Sequence, residues 1–267
     1  MSQQSVTERQ KQKIESFIVI GASRGLGAAL VDELLKKDFH VVGVSRTAPS
    51  DIPKYEHWKK TGNFEYHELD IGSPDSTHTL EKICAGLPAS PLCIIYNAAI
   101  QKTEVDEKEP LLNMDVFFEI NQVQIDGLGR VIRSFEKHLL KHGRLFASIS
   151  SFSAYAPAIL DPRIAYPASK AYLDMAMKCL NAHWNGKIKG TTIHLGHFGG
   201  DEKLLFIFKK ANYQNVAQKI IKNLTKQNPP EEINYPLIYC LAYKYFFRLI
   251  PYSFDIFASM ISNLKKP

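Results

Sequence analysis

Tyr166 and Lys170 stand four residues apart in the stretch RIAYPASKAYLDM. Positions i and i+4 share one face of a helix, so a phenol and an ammonium there point the same way. A phenol can give or take a proton, its ordinary pKa is near 10, and a nearby cation favours its anion. The pair is therefore a candidate proton-transfer device. On its own it is a common surface pattern, and it gains meaning only if other elements build a site around it. Pro167 fits the first turn of a helix, where its missing N–H costs nothing. The residues after it are good helix formers, which predicts a helix over 167–184.

The elements that would position such a pair alternate along the chain. Apolar runs of five to seven residues predict strands at 16–21 (SFIVIG), 40–46, 64–70, 91–99, 144–150 and 190–196. Helical patterns lie between them at 25–38, 74–87, 113–143 and 167–184, and an amphipathic helix follows over 215–227. Gly143 is a suitable stop for the long third helix. Strands that are apolar throughout and alternate with helices indicate a parallel sheet covered on both faces, a single doubly wound α/β domain. Ligands of such sheets bind at the carboxyl ends of the strands.

The first strand runs into GASRGLG, with Gly21, Gly25 and Gly27. Glycines between a strand and a helix allow a tight turn and let a diphosphate approach the backbone, where the helix N-terminus offers N–H groups. An acidic residue at the second strand end would suit the ribose of NAD, whereas an arginine suits the 2′-phosphate of NADP. This chain has Arg46 there, and Arg24 in the glycine loop can serve the same phosphate, so NADP(H) is expected over NAD(H). Asp70 and Ile71, Asn97, and the SISSFS run fall at the next three strand ends.

The 267 residues are 45% hydrophobic, enough for one large core. The net charge of +6 comes from dispersed lysines, with no basic cluster interleaved with aromatics, so no nucleic acid is expected as a partner. Cys84, Cys93, Cys179 and Cys240 form no CxxC pair and read as small buried hydrophobes in a reducing compartment. The polar start lacks a signal-peptide core, and residues 1–14 read as a tail. A cytoplasmic protein is expected. No HExxH or Cys/His spacing predicts a metal.

Taken in order, Gly21-x-x-x-Gly25-x-Gly27, Asp70, Asn97-Ala98-Ala99, Asn121, Ser151 and Tyr166-x-x-x-Lys170 resemble the short-chain dehydrogenase/reductase family over about residues 16–220. The resemblance implies a Rossmann fold and hydride transfer between a nicotinamide and a carbonyl or secondary alcohol. It makes Tyr166 the general acid or base, with its pKa lowered by Lys170 and the nicotinamide ring. Lys170 would also bond the nicotinamide ribose, Ser151 the substrate oxygen, and Asn121 a relay water. The spacing from Ser151 to Tyr166 is fifteen residues where the family has thirteen. Ser153 restores thirteen and stays open as the alternative. The cofactor contacts implied are Gly21, Ser23, Arg24, Gly25, Leu26, Gly27, Arg46, Asp70, Ile71, Asn97, Ala98, Ala99, Tyr166, Lys170, Gly196 and Phe198. Homo-oligomers through the long helices are also implied.

Several residues depart from the family pattern. Ile20 replaces a threonine, Tyr96 and Ala99 alter the usual NNAG, Leu195 replaces a proline, and Gly200 stands where a cofactor-touching threonine is common. His194 and His197 flank Gly196 and read as loop or wall residues. The segment 200–214 falls where the family lids its substrate pocket, and its Leu204 to Phe208 run suits an apolar small-molecule substrate if it lines that pocket. No glycine-rich seventh strand ending is evident. The aromatic-rich 236–267 reads as an extension of the 15–235 domain, either packing on the lid or another subunit or meeting a membrane surface as an amphipathic anchor. The rival function is a non-catalytic dinucleotide-binding regulatory or scaffolding protein. A methyltransferase shares the sheet but has no use for the tyrosine–lysine pair.

Overall fold

The computed structural model describes residues 13–105, 111–155, 163–196, 212–237, 240–241 and 244–245. The strands are β1 (Ser16–Ile20), β2 (His40–Ser45), β3 (Phe64–Glu68), β4 (Leu92–Tyr96), β5 (Leu145–Ser151), β6 (Lys189–Leu195) and β7 (Glu232–Tyr235). The helices are α1 (Gly25–Leu35), α2 (Tyr55–Lys59), α3 (Ser76–Gly86), α4 (Met114–Asn121), α5 (Gly127–Lys141), α6 (Ala165–Trp184) and α7 (Tyr213–Leu224). All seven strands are parallel and lie in the order β3-β2-β1-β4-β5-β6-β7. This is the doubly wound Rossmann architecture.

Successive strand residues face opposite ways, and here both ways lead inward. Phe17 and Val19 join one core with Leu30, Leu34 and Ile220. Ile18 and Ile20 join the other with Leu128, Val131 and Leu173. That is why β1 and β4 are nearly continuous apolar runs, and why β5 is buried at every position although its last half carries serines. β3 lies at an edge and reads FEYHE, only half covered. The order turns back between β1 and β4, whose last residues Ile20 and Tyr96 are register partners. The crevice for a ligand opens at that turning point.

Four features differ from the sequence expectations. A seventh strand is present. Its EINY sequence carries two polar residues at the sheet edge, where no second neighbour demands an apolar run. The predicted helix over 113–143 is broken by a π-turn at Gln122–Asp126 between α4 and α5. The short helix α2 appears because Trp58 is buried and its indole N–H donates to Asp32 of α1 at 2.6 Å. Cys179 is exposed and Cys84 only half-buried, so the expectation of four buried thiols fails for these two.

At the far edge, Lys244 pairs with Glu232 of β7 at 2.8 Å, and the Cys240 N–H donates to the Pro236 carbonyl. The start of the C-terminal segment therefore packs on this sheet. The rest of 236–267, residues 1–12 and most of the 200–214 segment lie outside the described residues. No helix among the described residues is long and apolar enough to cross a membrane.

Candidate active site

The glycine loop is shaped by close backbone contacts. Gly21 and Gly25 have φ of +89° and +54°, a region that favours glycine. A Cβ on Gly27 would fall 1.8 Å from the Gly21 carbonyl oxygen. That carbonyl accepts a bond from the Asn97 side-chain amide at 2.8 Å, which ties the end of β4 to the loop. Arg24 caps α1 without a side-chain bond, and the first turn carries no acidic residue. The leading N–H groups of α1 thus have no carboxylate competing for them, and the cradle fits a diphosphate. Ser23 and Arg24 lie on the loop surface, while Leu26 is part of the core. Ser23 accepts from Thr47 at 2.9 Å, so the loop is also tied to the end of β2.

The next strand ends form a cleft of about 290 Å³ walled by Arg46, Asp70, Glu119, Gln122 and Arg130. Arg46 is half-exposed, and its guanidinium stands 3.6 Å from Glu119. Lys102 holds the same carboxylate at 2.6 Å. Asp70 accepts from the Gly72 N–H at 2.9 Å, closing the turn after β3. Ile71 is buried, and its carbonyl accepts from Arg130 at 3.0 Å. Ala98 and Ala99 follow Asn97 on the exit from β4.

The structure brings Tyr166, Lys170 and Ser151 together. Helix α6 begins at Ala165, so Tyr166 sits in its first turn and Lys170 one turn on. Lys170 is 2% exposed, its Nζ donates to the Ile149 carbonyl at 2.8 Å, and it lies 5.5 Å from the centre of the Tyr166 ring. Burial pushes the ammonium down to about 8, with Asp174 pulling it back up. The Tyr166 phenol is pushed above its ordinary value by burial; Gln101, Arg163 and Ser151 oppose the shift. Among this chain's own groups burial wins, which is opposite to the lowering that the family resemblance implies. Ser151 ends β5, and its Oγ accepts from both the Ser153 N–H (3.2 Å) and the Ser153 hydroxyl (2.9 Å). The two candidate serines are thus bonded to each other at the end of β5.

Asn121 is the last residue of α4, at the start of the π-turn. The Tyr96 hydroxyl donates to the Val123 carbonyl of this turn, and Arg130 reaches the Gln122 carbonyl, which also accepts from the Gly127 N–H. A Cβ on Gly127 would lie 2.6 Å from the Tyr96 hydroxyl. Tyr96, the departure in YNAA, thus fills the room that Gly127 leaves beside the turn.

Other polar residues around the site carry no sequence signal. Gln101 donates to the Tyr166 phenol oxygen at 3.2 Å. Buried Glu104 accepts from the N–H groups of Ile164 and Ala165 at the start of α6. Asp174 on α6 holds both His194 Nε2 (2.7 Å) and the Ser150 hydroxyl (2.5 Å), so His194 is a buried wall residue. Gly196 is buried, with its N–H donating to the Tyr235 carbonyl at 2.8 Å. His197, Phe198, Gly200 and the 156–162 insertion between Ser153 and Tyr166 lie outside the described residues.

A family model described as short chain dehydrogenase matches residues 15–201. An uncharacterized oxidoreductase of Schizosaccharomyces pombe is 28% identical over 172 residues, 61% of this chain and 64% of that one. The match thus spans less than two thirds of that curated relative's length. Among solved structures, a short-chain dehydrogenase from Streptomyces avermitilis superposes with a TM-score of 0.71 at 15% identity, covering 96% of this chain and 100% of that one. The Pseudomonas aeruginosa RhlG/NADP active-site complex gives 0.72 at 17% identity, covering 85% and 96%. At these identities the solved structures speak for the fold alone.

Proposed function

This chain belongs to the short chain dehydrogenase family, and on that footing we propose that it is an NADP(H)-dependent oxidoreductase acting on a carbonyl or secondary alcohol of an apolar substrate. Membership of that family supports an oxidoreductase with a nicotinamide dinucleotide site. The choice of NADP(H), the apolar substrate and the residue roles are the proposal. One observation carries it: a buried ammonium, Lys170, lies beneath the ring of a phenol, Tyr166, that also meets the Ser151 hydroxyl.

The bound nucleotide supplies or accepts the hydride. In the reducing direction the carbonyl oxygen gains negative charge and needs a proton. Tyr166 holds its proton at neutral pH, as a phenol ordinarily does, and burial raises its pKa further, so it is available as a general acid. The phenol O–H bond breaks, the proton passes to the substrate oxygen, and the electron pair stays on the phenolate. Lys170, 5.5 Å from the ring centre, stabilises that anion. Ser151 holds the substrate oxygen, and Asn121 at the π-turn holds the relay water.

The preference for NADP(H) is supported by Arg46 directly after β2 and Arg24 in the loop, with no acidic residue in the stretch Arg46 to Ser50 that follows the strand. The structural likeness to an NADP complex is consistent with it. Homo-oligomers through α5 and α6 belong to the same proposal; Tyr172 and Met175 on α6 are exposed apolar side chains that suit such a face. The altered YNAA run, which favoured a non-catalytic reading, is accounted for by the packing of Tyr96.

Titrating the purified protein with NADPH and NADH, followed by nucleotide fluorescence, tests the cofactor. Tighter binding of NADPH is expected. Preference for NADH would overturn the cofactor choice, and binding of neither would overturn the dinucleotide site itself.

A further inference from the structure

We propose that Gln101 is a further catalytic residue, a side-chain amide that donates to the Tyr166 phenol oxygen and stabilises the phenolate as the proton leaves. The proposal rests on the reading of Tyr166 as the proton-transfer group. The contact is 3.2 Å from Gln101 Nε2 to the phenol oxygen. An amide N–H can only donate, so the phenol oxygen is the acceptor and its own hydrogen stays available for the substrate. When the O–H bond breaks, the oxygen keeps the electron pair and becomes an anion. A bond from Gln101 to that anion is stronger than the same bond to the neutral phenol. The donor therefore helps the transition state more than the ground state, which is what speeds a chemical step.

A surface side chain can perform this task only if its backbone is fixed, and two buried residues fix it. On one side, the N–H of Ile100 donates to Gln124 Oε1 at 2.9 Å; Gln124 is fully buried. The amide of Gln124 also donates to Ser169 Oγ, which donates to the Tyr166 carbonyl at 2.7 Å. On the other side stands Glu104, 1% exposed. Its carboxylate accepts from the Ile164 N–H at 3.2 Å and the Ala165 N–H at 2.5 Å, the residues just before Tyr166. The loop that carries Gln101 is thus bonded to the start of α6 on both sides of Tyr166, and the amide and phenol share one frame. Among the described residues, the other groups that face the phenol are Arg163, 5.0 Å from the ring centre, Lys170 and Ser151.

The test reads the phenol itself. The protein is labelled with [13Cζ]tyrosine, and its ring resonances are followed from pH 6 to 11 with NADP+ present, using Tyr166→Phe to assign the signal. Gln101→Leu removes the donor at a surface position and keeps the size. A net hydrogen bond is worth about 0.5–1.5 kcal/mol, so the Tyr166 midpoint is expected to rise by about half a unit to one unit. Gln101→Glu, which puts an anion beside the phenolate, is expected to raise it further. An unchanged or lowered midpoint in Gln101→Leu overturns the proposal. A shifted midpoint in a protein that reduces no carbonyl leaves the contact standing and removes the reaction instead.

Discussion

The guanidinium of Arg46 stands 3.6 Å from the carboxylate of Glu119, and Lys102 holds the same carboxylate from the other side. The hydrogen bond from Lys102 is the main reason that Glu119 stays below the usual carboxylate range. Glu119 is therefore an anion at neutral pH, and it competes for Arg46 with any phosphate arriving at the end of β2. An exposed pair of this kind is worth about 0.2–1 kcal/mol. Glu119→Gln is expected to tighten NADPH binding by about two- to fivefold and leave NADH unchanged, as measured by fluorescence titration. Equal changes for both nucleotides would separate Arg46 from the 2′-phosphate.

Arg46→Asp makes the opposite change. It removes a charged donor and places a carboxylate where the second strand end would favour a free ribose. A hydrogen bond to a charged group is worth about 1.5–3 kcal/mol, so NADPH affinity is expected to fall roughly ten- to a hundredfold. NADH affinity should hold or improve. Parallel losses in the two titrations would contradict the assignment.

Lys170 gives a pH dependence with a defined sign. Its ammonium is buried and pushed down to about 8 from an ordinary 10.5. Between those values the unfolded chain binds the proton and the folded one does not, so stability rises with pH across that window. Below about 8 the cost of burying the charge is present in full, about 3 kcal/mol. Lys170→Met is expected to be more stable than the parent at pH 7 in urea unfolding, with the gap narrowing from pH 8 to 10.5. Activity should move the other way. The kcat/KM profile for reduction is expected to fall with a midpoint near 8, because Tyr166 still holds its proton there while Lys170 loses its charge. A profile flat to pH 10 would remove Lys170 from the mechanism.

Gly27 tests the loop. Its missing Cβ makes room for the Gly21 carbonyl, which Asn97 also grips. Gly27→Ala forces two backbone segments apart, and overpacking of this kind costs typically 1–3 kcal/mol. A loss of that size in urea unfolding is expected, together with weaker binding of both nucleotides. A fully stable variant would contradict the close contact.

Much of the architecture was legible because burial on both faces leaves a plain mark. The β1 run SFIVI and the glycines after it can hardly be read otherwise. The seventh strand was hidden because EINY, at an edge, has no need to be apolar. The π-turn was hidden because it changes backbone bonding without a residue type of its own. Tyr166, Lys170 and Ser151 were legible through order and spacing, which resemble the family, while their roles remain those proposed above. Gln101 and Glu104 were not legible. Their partners lie about sixty residues further along, and neither a glutamine nor a glutamate in a loop announces such a contact.

The central claim is that Tyr166 supplies the proton for a nicotinamide-dependent carbonyl reduction. The most direct measurement follows NADPH oxidation at 340 nm with a panel of apolar ketones and diketones, comparing the parent protein with Tyr166→Phe, alongside NADPH titrations of both. Turnover in the parent, its loss by at least a hundredfold in the variant and NADPH affinity within about twofold are expected; general acid catalysis contributes on the order of 10²–10⁴-fold. A variant that turns over as fast as the parent would contradict the account.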